Sequence, residues 1–167
     1  MTLKGVHWYP VYIGLGSNLK SPEGQLKGAF ELLARIPKTR LIAQSGLYRS
    51  TPLGGIEQPD FINAVAALLT CLEPLPLLRE LQRIEAERGR ERSDLRWGPR
   101  TLDLDLLVYS DLRIKEPDLT IPHPGIAERN FVLLPLREVA PNIDIPGRGH
   151  ISKLSVSLTD PNISRIG

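Results

Sequence analysis

The amino-acid sequence predicts an α+β fold built on one antiparallel sheet. Three observations lead there: short apolar, β-branched runs that read as strands, two stretches with helical spacing between them, and Gly- or Pro-rich punctuation separating the runs. The chain has 167 residues, 41% hydrophobic and 24% charged, which suits a single domain over residues 1–167 with one buried core.

Val11-Tyr12-Ile13-Gly14-Leu15 is the first strand, followed by a loop at Gly16-Ser17-Asn18. Ser21-Pro22-Glu23 supplies an N-cap, a proline for the first turn and an acid at the positive helix end. Leu26, Phe30 and Leu33 then recur at helical spacing, and the helix stops before Pro37. Residues 41–48 and 61–72 predict a strand pair joined by the exposed, turn-rich Thr51-Pro52-Leu53-Gly54-Gly55. Leu77, Leu78, Leu81 and Ile84 mark a second helix that Gly89 terminates, with Gln82 and Glu85 sharing another face. Residues 102–109 alternate apolar and acidic side chains, so Asp103 and Asp105 point to the same side of a strand. Strand, helix, strand, strand, helix, strand is the ferredoxin-like βαββαβ order, an antiparallel sheet with helices on one face. A C-terminal helical extension over residues 131–139 follows, and residues 141–149 read as irregular surface chain.

Charge and cysteine content narrow the function. A net charge of +2 and a pI near 8.8 exclude a general polycation, so any electropositive function is local. Cys71 is the only cysteine, which excludes an internal disulfide and a thiolate metal cluster. The opening MTLKGVHWYP lacks the apolar core of a signal peptide, and no run approaches the ~20 apolar residues of a membrane span. The expectation is a cytoplasmic enzyme with no membrane or nucleic-acid partner.

The main chemical signal is a succession. Residues 88–100 hold five arginines (Arg88, Arg90, Arg92, Arg96, Arg100) against two acids, and they deliver into Asp103 and Asp105. Two like charges on one strand face call for a cation, and Mg²⁺ takes one or two carboxylates plus phosphate oxygens. Arginines beside them suit the outer phosphate oxygens, so the pair of features fits phosphoryl-type transfer. Two rivals remain from these residues: an RNA-binding module using the basic loop, although the aromatic-rich strand motif is absent, and a nucleotidyl- or glycosyltransferase using Asp-x-Asp to hold a nucleotide diphosphate. A Walker A loop at Gly14–Ser21 fails because Leu19 replaces its second glycine.

Residues 96–107, Arg-Trp-Gly-Pro-Arg-Thr-Leu-Asp-Leu-Asp-Leu-Leu, resemble the signature of the 6-hydroxymethyl-7,8-dihydropterin pyrophosphokinase family of folate biosynthesis. Gly14–Asn18, Tyr48–Gly54, Gln58–Ala64, Ile121–Pro124 and Arg129–Phe131 resemble further segments of it, covering about residues 9–145. The resemblance implies transfer of diphosphate from ATP to the hydroxymethyl group of the reduced pterin, with release of AMP, by a monomer. It implies two Mg²⁺ ions at Asp103 and Asp105, and Arg90 and Arg100 on a loop closing over ATP. It places Gln82, Glu85, Arg92, Arg100, Leu106, Thr120, His123 and Arg129 around the nucleotide. Thr51, Leu53, Phe61, Asn63, Trp97 and Phe131 fall around the pterin, where Asn63 reads the ring edge and the aromatics stack on it. From the residues alone, Phe61 and Phe131 also read as core, and Gln82 and Glu85 as a solvated helix face. Phe61 stands where some relatives carry tyrosine, Asp118 where a basic nucleotide contact occurs in some, and Pro124 where an aromatic occurs in some.

Overall fold

The structure, a computed structural model, describes residues 2–3, 6–52, 57–89, 101–159 and 161–167. In chain order the strands and helices are β1 (Thr2–Leu3), β2 (Val6–His7), β3 (Tyr9–Ser17), α1 (Pro22–Ala34), β4 (Thr39–Gln44), β5 (Tyr48–Ser50), β6 (Phe61–Thr70) and α2 (Pro74–Glu87). They continue as β7 (Asp103–Tyr109), β8 (Ile114–Glu116), β9 (Leu119–Ile121), α3 (Asn130–Val139), β10 (Asp144–Ile145), β11 (Gly149–His150) and β12 (Ile163–Arg165).

The main sheet is antiparallel and runs β12-β5-β6-β3-β7, with β4 also paired to β6. Strand β6 is long enough to take two partners on one edge: β4 lies along its Ala66–Thr70 half and β5 along Phe61–Asn63. Ser45 makes the break between them, accepting the Val65 N–H on its Oγ (2.9 Å) and donating its own N–H to the Val65 carbonyl (2.9 Å).

Side-chain alternation splits the interior into two layers. Ile13 and Leu15 of β3, Ile62, Ala64, Ala66 and Leu68 of β6, and Leu104 and Leu106 of β7 face α1 and α2. Helix α1 contributes Leu26, Ala29, Phe30 and Leu33, and α2 contributes Leu77, Leu81 and Ile84. Each fully buried leucine of this kind contributes roughly 1.5–3 kcal/mol. Val65 and Leu107, from the opposite sheet face, pack with Val132, Leu133 and Leu136 of α3.

Pro22 and Pro74 stand at the helix starts, where their missing N–H costs no bond. Gly89 follows α2 with φ +78° and donates to the Ala86 carbonyl (3.1 Å), the left-handed helix end that glycine adopts without a Cβ clash.

Several expectations change. Ser21 precedes α1 but adopts φ 60° and makes no side-chain cap; its carbonyl instead accepts from Gln25 N–H. The single strand expected over residues 41–48 is two strands. Helices α1 and α2 share one face, whereas the C-terminal helix covers the other. The stretch 141–149 holds β10 and the first residue of β11, which pair as a short ladder ending at His150. The end of the chain, which carries no motif, supplies edge strand β12.

Candidate active site

Strand β7 presents Asp103 and Asp105 on the face that α3 covers, while Leu104 and Leu106 turn to the α1/α2 layer. Both carboxylates are half-buried. Directly opposite them on β3 stand Gly16 and Gly14. Opposed residues of an antiparallel pair share a face, so neither glycine puts a side chain into the strip beside the carboxylates; Leu107 reaches over Gly14, and only Asn63 Oδ1 comes near Gly16.

The same strip continues across the sheet. Asn63 on β6 is opposite Gly16 on one side and Tyr48 of β5 on the other, giving the row Tyr48, Asn63, Gly16, Asp103. Asn63 and Asp103 are therefore two strand spacings apart, about 10 Å, with only a glycine between. The Asn63 amide is buried and donates to Ser50 Oγ (2.8 Å) and the Tyr48 carbonyl (3.3 Å). Its Oδ1 lies 3.5 Å from where a Cβ on Gly16 would stand, so this acceptor leans over the glycine toward the carboxylates.

The α3 side adds basic and aromatic groups. His123 donates its N–H to the Leu107 carbonyl (2.9 Å), fixing the turn after β9 to β7. Gly125 N–H donates to His123 Nδ1 (3.0 Å), which puts the ring proton of the neutral form on Nε2. Burial and then the nearby Arg129 cation lower the His123 pKa, while the Asp103 carboxylate works in the opposite direction. The imidazole is thus mainly neutral at pH 7. Arg129 precedes α3, with its guanidinium 5.9 Å from the Phe131 ring centroid and packed so closely over Gly125 that a Cβ there would stand 2.5 Å from Nε. Phe131 is half-buried beside the α3 layer, and Phe61 is half-buried at the start of β6. Pro135 inside α3 supplies no amide to the Phe131 carbonyl.

Other expected residues stand elsewhere. Gln82 is exposed and accepts from Arg79 of its own helix (3.1 Å). Glu85 is not a solvated residue: it is 6% exposed, and its carboxylate accepts the Leu104 N–H at 2.8 Å, between the two aspartates. The Leu106 side chain belongs to the α1/α2 core, and Thr120 is exposed on β9. Thr51 is half-buried and donates its N–H to the Asn162 carbonyl (3.0 Å). Leu53, Arg90, Arg92, Trp97 and Arg100 lie outside the described residues, as do the arginine-rich segment and the aromatic stacking expected of Trp97.

The first turn has a role that its Gly-Ser-Asn sequence hinted at only as a turn. Ser17, fully buried, donates its hydroxyl to the Thr101 carbonyl, two residues before β7. Asn18 donates to Gln58 Oε1 (2.8 Å) and to the Pro59 carbonyl (2.9 Å). One turn therefore fastens the residues just before β6 and just before β7. The Thr101 hydroxyl is buried with no hydrogen-bond partner among the described residues.

The donor set suits Mg²⁺. Among the described residues no group of three or more His, Cys, Asp and Glu forms a metal cage. Two carboxylates with space beside them match a cation that keeps water and phosphate oxygens as its remaining ligands.

The 7,8-dihydro-6-hydroxymethylpterin-pyrophosphokinase (HPPK) family matches residues 12–141. The chain is 48% identical to the 2-amino-4-hydroxy-6-hydroxymethyldihydropteridine pyrophosphokinase of Pseudomonas aeruginosa, over 93% of this chain and 96% of that one. It is 45% identical to the protein of the same name from Haemophilus influenzae, with the same coverage. A crystal structure of a Plasmodium falciparum HPPK-DHPS triple mutant with SDX-DHP matches the fold with a TM-score of 0.74 at 15% identity, covering 96% of this chain and 45% of that one. A structure of HPPK-DHPS in complex with substrates matches with a TM-score of 0.71 at 14% identity, covering 88% and 42%. The chain thus spans less than half the length of those solved chains. It belongs to the 7,8-dihydro-6-hydroxymethylpterin-pyrophosphokinase family.

Proposed function

We propose that this protein transfers diphosphate from Mg-ATP to the hydroxyl of 6-hydroxymethyl-7,8-dihydropterin, releasing AMP, as a step of folate biosynthesis. The observation that carries this reading is the row Asn63, Gly16, Asp103 on one sheet face. It sets an amide suited to a pterin edge about 10 Å from a carboxylate suited to a metal–phosphate group, with an open strip between. The family relationship supplies the identity of the two substrates.

In the proposed reaction the pterin hydroxyl oxygen gives up its proton to water and forms a bond to the β-phosphorus of ATP, the bond from that phosphorus to the α,β-bridging oxygen breaks, and AMP departs with that oxygen. Asp103 and Asp105 would hold Mg²⁺, which supplies charge neutralisation on the phosphate oxygens. Asn63 Oδ1 accepts from the pterin ring, and Phe61, Trp97 and Phe131 enclose it, with backbone at Thr51 and Leu53 completing the pocket. Arg129 and the Nε2–H of neutral His123 donate to the nucleotide, and Arg90, Arg92 and Arg100 bring further guanidinium groups. Glu85 acts on this site through the Leu104 amide. The strand order β5-β6-β3-β7, with α1 and α2 as its crossovers, supports a ferredoxin-like reading of the sheet.

The test is incubation with ATP, Mg²⁺ and the reduced hydroxymethylpterin: AMP should form only when the pterin is present. Asp103→Ala and Asp105→Ala should each abolish turnover without unfolding the protein. An Asp103→Ala enzyme with an unchanged rate would refute the metal assignment.

A further inference from the structure

We propose that Glu138 at the end of α3, with Tyr48 and Arg165, is a positioning cluster that clamps strand β12 against β5 and thereby sets the place of the pterin-reading amide of Asn63. This rests on the pterin-binding reading of Asn63 and Thr51 given above.

Glu138 and Tyr48 lie within residues 12–141, which the family match covers, whereas strand β12 and its Arg165 lie beyond them. Strand β12 pairs with β5 in the register Ile163–Ser50, Ser164–Arg49, Arg165–Tyr48. The pairing extends at both ends: Thr51 N–H donates to the Asn162 carbonyl (3.0 Å), Ile166 N–H to the Leu47 carbonyl (2.8 Å), and Leu47 N–H to Gly167 O (2.6 Å). Both sides of β5 are thus held by backbone, with β6 on one and β12 on the other.

Glu138 locks this arrangement from α3. Its Oε1 accepts the Tyr48 hydroxyl (2.6 Å) and Arg165 Nε (3.2 Å), and its Oε2 accepts the Gly46 N–H (2.9 Å) and Arg165 Nη2 (3.4 Å). Burial alone would raise its pKa, yet bonds from Arg165, Tyr48 and Gly46 overcome that and hold the carboxylate below its usual range. One ionised group therefore joins the residues just before β5, its first residue and the last residue of β12. Gly46 leaves the room this needs, since a Cβ there would run into Gly167 O and the Arg165 guanidinium. At the other end of α3, Asn130 donates to the Ser157 carbonyl (2.9 Å) and the Pro161 carbonyl (2.8 Å). The helix grips the segment before β12 and β12 itself, one at each of its ends.

The consequence reaches the site through two bonds. Asn63 Nδ2 donates to the Tyr48 carbonyl and to Ser50 Oγ, so the partners that orient this amide are both residues of β5. Thr51, the next residue, is held by Asn162. A displaced β12 would let β5 shift and turn the Asn63 acceptor off its line, whereas the carboxylates on β7, at the far edge of the sheet, would stay in place.

The test compares the unaltered protein with Glu138→Ala, Glu138→Gln and Arg165→Met, using Glu80→Ala as a control that breaks an exposed ion pair on α2. Binding of 6-hydroxymethylpterin is followed by its fluorescence, KM for ATP is measured separately, and amide exchange is read at Leu47 and Thr51. Glu138→Ala should weaken pterin binding about tenfold while KM for ATP changes by less than about twofold. Exchange at Leu47 and Thr51 should quicken by about tenfold or more. Glu138→Gln retains acceptors for Tyr48 and should recover part of the binding, Arg165→Met should fall between them, and Glu80→Ala should leave binding unchanged. Pterin binding that is equal in Glu138→Ala and the unaltered protein overturns the clamp while leaving the functional reading intact. So does an equal loss for pterin and ATP. An unaltered protein that takes up no pterin overturns both.

Discussion

Replacing Glu85 with alanine removes the carboxylate that accepts the Leu104 N–H at 2.8 Å. Leu104 lies on β7, the outermost strand on its side of the main sheet, and is 5% exposed, so water does not readily take the place of the lost acceptor. A hydrogen bond to a charged group contributes about 1.5–3 kcal/mol, and a stranded buried N–H costs a similar amount. The expected loss is about 2 kcal/mol, or about 4–8 °C in Tm for a chain of this length. Glu85→Gln keeps a carbonyl acceptor and should lose about 1 kcal/mol or less. Because Leu104 separates Asp103 from Asp105, Glu85→Ala should also raise the Mg²⁺ concentration needed for half-maximal activity. Calorimetry of both variants, with a Mg²⁺ titration of turnover, checks this. A Glu85→Ala protein with unchanged Tm and unchanged Mg²⁺ dependence would refute the positioning role.

Leu68→Ala empties a fully buried position between β6 and the α1/α2 layer and should cost about 3 kcal/mol, readable as a lower denaturation midpoint. Gly16→Leu places a side chain in the strip between Asn63 and Asp103 and should abolish pterin binding while the circular dichroism of the fold persists. Tyr48 and Tyr109 have pKa values pushed up to about 12, both chiefly by burial, with the Glu138 bond adding to it for Tyr48. Between pH 10 and 12 the folded chain holds protons that the unfolded chain releases, so their contribution to stability is complete below pH 10 and lost as pH rises through about 12. Absorbance titration should therefore show these two tyrosines ionising late, and Tyr48→Phe and Tyr109→Phe should each remove one late step.

The sheet and its two crossover helices were legible because their signals are local. Alternation over residues 102–109 placed both aspartates on one face, and Leu26, Phe30 and Leu33 marked one side of α1. What local pattern could not give is contact across long separations. Glu138 occupies a solvent-edge position of α3, yet it binds Tyr48 90 residues away and Gly46 92 away. Glu85 has the sequence look of a solvated helix residue and is in fact buried against a strand amide. Ser21 was expected to cap α1 by its side chain, but the left-handed turn at Lys20 and Ser21 directs the chain instead. The break between β4 and β5 was invisible for the same reason: Ser45 bonds to Val65, a partner that no neighbouring residue announces.

Diphosphate transfer is tested most directly by following the phosphorus itself. ATP labelled at the β-position is incubated with Mg²⁺, the reduced hydroxymethylpterin and the protein, and the products are separated. The label should leave with the pterin as a diphosphate, and the nucleotide product should be unlabelled AMP. Labelled ADP, or AMP formed without the pterin, would contradict this transfer.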